Sequence, residues 1–234
     1  QDTTIWIKDQ NKKIMYYDVF TSNVDGSLNY EFVIDDIFSS GTYTAIIKQE
    51  SGSDAVLIGI GQYPTSAIVT LMEKTNFNLN SKAILSIVGP ASSNLSISVL
   101  DSNDDIKMTD SITSSPIGKN KYSIDLDGLD SGVYRAVVSS TNIQDSVRFS
   151  IGLDAGSGAI SLVSTKANYS PGESILVIGN TGSNARLMIT LLDPSGNISA
   201  KTETFSDNSG SFSTDELGVP PDGVLGDWKI IAHN

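Results

Sequence analysis

The chain has 234 residues, 39 % of them apolar and only 18 % charged, with 15 Lys and Arg against 27 Asp and Glu and a formal charge of −12. That is enough apolar material for packed cores, while the acidity argues against nucleic-acid binding, which needs Lys and Arg to displace counterions, and against docking on anionic lipid. The absence of cysteine and a single histidine, His233, exclude disulfides, thiolate metal sites, cysteine nucleophiles and multi-histidine centres, and no enzyme is expected.

The chain opens at Gln1 with no basic or apolar leader, so a signal peptide is expected to have been removed or to lie outside an internal piece. No stretch approaches the roughly 18 apolar residues of a membrane helix, and no membrane insertion of this segment is expected. Ile5-Trp6-Ile7-Lys8-Asp9 reads as a strand ending in a turn. Leu28, Tyr30, Phe32 and Ile34 alternate with Asn29, Glu31 and Val33, and predict a second strand. Gly41-Thr42-Tyr43 opens a third, carried by Tyr43, Ala45 and Ile47. A joint is expected near Gly59–Pro64. Beyond it come Asn76-Phe77, then Ile97-Ser98-Val99-Leu100-Asp101, then the alternation of Tyr122, Ile124 and Leu126. Gly132-Val133-Tyr134 and the alternating Val147, Phe149 and Ile151 complete that stretch, and a second joint falls near Leu153–Gly158. Asn168-Tyr169, Ile189-Thr190-Leu191-Leu192-Asp193 and Gly226-Asp227-Trp228 follow. Turn signals such as Asp25-Gly26, Asp127-Gly128, Pro171-Gly172 and Pro194-Ser195-Gly196 separate the strands, and no window shows a helical stripe.

These elements repeat. Ile5, Ile97 and Ile189 head the same five-residue pattern at a spacing of 92 (5 to 97, 97 to 189), as do Ile14, Ile106 and Ile198. The Gly-x-Tyr/Trp column recurs at Tyr43, Tyr134 and Trp228, and Asn76-Phe77 pairs with Asn168-Tyr169. Short strands with turns every 8–12 residues predict an all-β chain of tandem immunoglobulin-like antiparallel β-sandwiches. The expected units are 1–61, lacking its first strands, a complete 62–153, and 154–234, lacking its last strand. The short joints predict a semi-rigid rod, one segment of a longer tandem array, with β-strand addition by a partner as the alternative. The turn Asp of each Ile-x-Ile-x-Asp pattern is expected to cap its turn, and the aromatic of each Gly-x-Tyr/Trp to face the core.

The third copy carries the sharpest likeness. Tyr169-Ser170-Pro171-Gly172, Asp193-Pro194-Ser195-Gly196, Asp207-Asn208-Ser209-Gly210-Ser211-Phe212 and Gly226-Asp227-Trp228 resemble the Tyr-x-Pro-Gly, Asp-Pro-x-Gly, Asp-x-x-Gly-x-Phe and Gly-x-Tyr/Trp pattern of bacterial and archaeal surface immunoglobulin-like domains. The likeness covers about 80 residues of the third copy well and the second copy weakly, where Asn80-Ser81-Lys82 stands in place of Pro-Gly. The acidic, cysteine-free, Asn- and Ser-rich style is similar to S-layer and cell-surface proteins of ammonia-oxidising archaea. The resemblance implies an extracellular structural protein of an S-layer lattice, with copies of itself as partners. Such domains also occur in adhesins and macroglobulins, so the alternative is an adhesin stalk or binding module recognising glycan or another cell.

Site chemistry is sparse. Asp35-Asp36, Asp104-Asp105 and the Asp125/Asp127/Asp130 group are not the spaced acid–base pair of a glycosidase. No cofactor is required, but calcium is a candidate ligand. Asp101, Asn103 and Asp105 place oxygens at alternate turn positions, with Ile106 where a calcium loop has Gly. Asp125, Asp127 and Asp130 surround Gly128. Asn23/Asp25 and Asp207/Asn208 are weaker candidates, and the competing reading is that Asp and Asn populate turns by bonding their own backbone. Asn94, Asn168 and Asn197 head glycosylation tripeptides. Trp6, Tyr16, Tyr17 and Tyr63 fall off the repeated core columns, and are expected either as an exposed stacking platform or as cover for a sandwich edge or a joint between units.

Overall fold

The structure, a computed structural model, describes residues 2–23, 27–49, 52–156 and 158–234. The described residues form strands and no helix, so no helix is long and apolar enough to cross a membrane. The first unit is one antiparallel sheet of β1 (Asp2–Lys8), β2 (Ile14–Thr21), β3 (Gly41–Gln49) and β4 (Gly52–Ile60), ordered β2-β1-β3-β4. Ile7, Tyr43 and Ala45 fill its inner face beside half-buried Ile58 and Ile60. The segment predicted as a strand over Leu28–Ile34 is not one. No strand of the described residues lies beside it to take its ladder hydrogen bonds. It crosses the inner face as irregular chain and lays Phe32 and Phe38 on Tyr16 and Tyr43, with ring centroids 5.4–6.0 Å apart along the row. Val33 and Ile34 face solvent.

The second unit holds β5 (Val69–Met72), β6 (Asn76–Phe77), β7 (Lys82–Val88), β8 (Asn94–Asp101), β9 (Ile106–Thr113), β10 (Lys119–Asp125), β11 (Gly132–Ser140) and β12 (Ile143–Ile151). They make two sheets, β10-β7-β5 and β6-β12-β11-β8-β9, in which only β6 on β12 is parallel. This is the strand arrangement of an immunoglobulin-like sandwich. Its core includes Leu85, Ile97, Val99, Ile124, Ala136 and Phe149. The third unit holds β13 (Ser161–Ser164), β14 (Ser174–Asn180), β15 (Arg186–Leu192), β16 (Ile198–Phe205), β17 (Ser211–Gly218) and β18 (Lys229–His233), as sheets β13-β14-β17 and β16-β15-β18.

The sequence columns become equivalent structural devices. Ile5, Ile97 and Ile189 are buried on β1, β8 and β15. Each of these strands ends at or just before an Asp that accepts two backbone N–H groups of its own turn. Asp9 takes those of Asn11 (2.8 Å) and Lys13 (2.9 Å), Asp101 those of Asn103 (2.8 Å) and Asp105 (3.0 Å), and Asp193 those of Ser195 (2.9 Å) and Asn197 (2.8 Å). The fourth turn residue has positive φ in all three: Lys12 at 65°, Asp104 at 64° and Gly196 at 86°. Two bonds to one carboxylate hold a left-handed backbone that Lys and Asp adopt at a cost. The aromatic column makes a second device. Tyr43 donates to Ser39 O and Tyr134 to Asp130 O, each at 2.9 Å and four residues upstream, the corner seen in immunoglobulin-like sandwiches. Trp228 lies just before β18.

Candidate functional site at the junction of the three units

Three lysines of the first unit reach acids of the other two. Lys8 pairs with Asp215 at 3.5 Å and Lys48 with Glu216 at 2.8 Å, both on β17. Lys12, from the β1–β2 turn, pairs with Asp145 on β12. Asp145 is buried and also accepts Thr70 N–H at 2.7 Å and Thr70 Oγ1 at 2.8 Å, so the ion pair is anchored to the second unit's backbone. Glu216 also accepts Thr202 Oγ1 at 2.7 Å. Burial pushes the Glu216 carboxyl up, but the Lys48 ammonium, the Thr202 hydroxyl and nearby Lys8 outweigh it and hold the group below the usual carboxylate range.

Packing reinforces the charges. Trp6, Tyr17, Ile46 and Ala55 on the outer face of the first sheet bury against Val69, with Leu71 and Val88 beside them. The Tyr17 backbone N–H donates to Gly172 O at 3.1 Å. The Tyr17 ring lies so close over Gly218 that a Cβ there would stand 2.5 Å from it. Only glycine permits that approach. The second and third units meet through Val133, Leu153 and Phe205, with the Arg148 guanidinium 5.2 Å from the Phe205 ring centroid. The first unit therefore folds back on the third, and the expected rod is replaced by a three-way block.

A cleft of about 350 Å³ remains where the units meet. Trp6, Lys8 and Lys48 line it from the first unit, Lys74 and Arg148 from the second, and Glu203, Phe205 and Glu216 from the third. Its acids are paired, Glu203 with Arg186 at 3.2 Å. Among the described residues Lys74 and Arg148 make no ion pair, so the lining is locally basic in an acidic chain. His233 does not line it. The arrangement joins domains and accommodates charge.

The candidates from the sequence lie elsewhere. The Asp101 carboxylate is engaged by its two turn N–H groups and by Lys107 at 2.9 Å, and the Lys107 ammonium is the main cause of its lowered pKa. Asn103 and Asp105 are exposed, and offer their N–H groups to Asp101. Asp125 accepts the Asp127 N–H at 3.1 Å, and Asp125, Asp127 and Asp130 all face solvent. Among the described residues no group of three His, Cys, Asp or Glu side chains is gathered to hold a metal ion. Asp207 bonds Ser209 and Ser211 N–H at 2.9 and 3.0 Å, and Asn208 bonds Ser102 at 2.8 Å. Asp25 lies outside the described residues. Asn94, Asn168 and Asn197 are all exposed, as glycosylation requires. Of the four aromatics, Trp6 and Tyr17 are buried at the joint and Tyr16 is half-buried; only Tyr63, 94 % exposed, stands free as a platform.

Sequence reasoning missed the lysine–carboxylate pairs because their partners are 133 to 207 residues apart. The available signal was Lys8 two positions after Trp6, which puts a cation and a large aromatic on one sheet face.

No protein-family profile and no curated protein matches the chain. Among solved structures it is similar to a tetra-tandem repeat from the extending region of a large adhesion protein, with 20 % identity and a TM-score of 0.32. That match covers 99 % of this chain and 62 % of the other. Trypsin-activated α-2-macroglobulin of Escherichia coli gives 10 % identity and a TM-score of 0.33, covering 95 % and 20 %. Salmonella α-2-macroglobulin reacted with methylamine gives 12 % and 0.32, covering 100 % and 19 %. The chain thus spans less than two thirds of each of these structures.

Proposed function

We propose that the chain is a segment of a structural cell-surface protein, built into an S-layer lattice with copies of itself. The carrying observation is the junction: a four-stranded sheet and two sandwich units are clamped by Lys8, Lys12 and Lys48 and by the Tyr17–Gly218 contact, which gives a wide, stiff tile. A tile that keeps its shape can repeat in two dimensions, whereas beads on loose joints cannot. Each clamp pair is neutral, one lysine against one carboxylate, so the chain's excess of 27 acidic over 15 basic side chains is carried undiminished by the rest of the molecule. A porous sheet of such tiles concentrates cations and repels anions within a Debye length of about 8–10 Å at moderate salt. For an ammonia oxidiser the relevant cation is ammonium.

The test is permeability of assembled sheets to size-matched cationic and anionic probes. Cations should pass faster, and the difference should flatten in high salt. Equal passage at low salt refutes the cation reading, and low abundance of the polypeptide in the envelope refutes the lattice reading. Exposed Tyr63 favours a second reading, an adhesin stalk with a stacking contact for glycan. A stalk protein is sparse in the envelope where a lattice protein dominates it.

A further inference from the structure

Among the described residues the outer edge of β18 is unpaired, and its equivalents in the other two units are not. β3 carries β4 on that edge and β11 carries β12. In both, the added strand reads Asp-x-Val-x-Ile/Phe-x-Ile: Asp54, Val56, Ile58 and Ile60, then Asp145, Val147, Phe149 and Ile151. The registers agree. Tyr43 faces Ile58 and Tyr134 faces Phe149; Ala45 faces Val56 and Ala136 faces Val147; Ile47 faces Asp54 and Val138 faces Asp145. The Asp follows the aromatic by the same interval in each case (43 to 54, 134 to 145).

The third unit shows the imprint of the same strand. Trp228, Ile230 and Ala232 occupy the positions of Tyr134, Ala136 and Val138. The latter three are buried, with Ala136 and Val138 at 0 % exposure, while Trp228, Ile230 and Ala232 are only half-buried around their core. A second observation is independent of β18. In the second unit Asn76 Oδ1 accepts Ser150 Oγ (2.8 Å) and Leu153 N–H (3.2 Å), and this holds β6 on β12 in parallel. Asn168, at the same place in the third unit, is exposed and its stretch forms no strand, since β6 exists only by pairing with β12.

We infer that the β18 edge is a strand-acceptor site, filled by the continuation of the same polypeptide as an antiparallel strand of pattern Asp-x-Val-x-Ile/Phe-x-Ile. Its apolar residue lies on Trp228, its Val on Ile230 and its Asp beside Ala232. This rests on the tandem-array part of the proposed function and not on the lattice. Array continuity favours a strand in cis, because the β11–β12 hairpin needs only Thr141 and Asn142 to turn.

The experiment appends a copy of the Thr141–Ile151 sequence directly after Asn234 of the full chain, which continues the β11–β12 register. Hydrogen exchange of the β18 amides and Trp228 emission are compared with the chain as it stands. The inference expects about tenfold or greater protection of β18, a blue shift of Trp228 and a monomer by light scattering. An appended strand with Lys at the Val147 and Phe149 positions should give none of these. Unchanged β18 exchange in the apolar extension overturns the site. A dimer of the unextended chain with β18 already protected overturns the strand in cis and makes a second copy the occupant. Scarcity of the protein in envelopes would refute the lattice and leave these readouts as they are.

Discussion

The indole N–H of Trp228 donates to the carbonyl of Val224, four residues upstream, at 3.0 Å. Tyr43 and Tyr134 make the same i to i−4 bond with a phenol. A hydroxyl and an indole nitrogen thus perform one job, because each sits at the far end of a flat apolar body whose ring belongs in the core. Tyr134→Phe should keep the ring and lose only the bond, at about 1 kcal/mol in denaturant melts, whereas Trp228→Phe also removes half of the indole from its packing and should cost more. Tyr134→Leu should cost more, since Tyr134 also stacks on Phe149 with centroids 5.8 Å apart.

The Tyr17–Gly218 contact predicts a coupled pair. Gly218→Val drives two methyl groups into the Tyr17 ring and should cost about 1–3 kcal/mol, or part the first unit from the third. Small-angle scattering should report a larger radius of gyration. Tyr17→Ala in the Gly218→Val background should recover part of the loss, the mark of two residues in contact.

Acid should act on the same joint. The Glu216 carboxyl is held below its ordinary value of 4.5 in the folded chain, so its contribution is complete above that value and lost as pH falls through the lowered one. Acid titration below about pH 4.5 should loosen the first unit before the second unit's core, whose packed side chains include no carboxylate. Glu216→Gln should flatten that early transition in scattering or limited proteolysis.

The turn carboxylates make a separate prediction. Asp101→Ala removes acceptors from the Asn103 and Asp105 N–H groups and frees a positive-φ Asp104, at about 1 kcal/mol. The cost should be equal in calcium and in chelator, because Lys107 already neutralises the carboxylate. A melting temperature raised by calcium only when Asp101 is present would show a bound ion instead.

The repeat was legible because strand periodicity and turn chemistry are local. Ile97 to Asp101 needs only its own alternation and cap to be recognised, and Tyr134 needs only the Gly two residues before it. Leu28–Ile34 misled for the converse reason: its alternation is as good as that of Tyr122–Leu126, but a strand also requires a neighbour, which alternation does not encode. The joint was illegible. Lys48 and Glu216 are ordinary surface residues by sequence, and only the fold-back brings them to 2.8 Å. Trp6 and Tyr17 could be assigned to a platform or to cover, and packing chose cover.

Asn76 and Asn168 occupy one position of the repeat, and only the second heads a glycosylation tripeptide. At Asn76 the amide is consumed by Ser150 and Leu153. An amide with three such bonds has no freedom to enter an oligosaccharyltransferase. A sugar on Asn168 would therefore record the order of events at the cell surface: added first, it would bar the third sandwich from closing in the manner of the second, and added never, it would mean that closure came sooner.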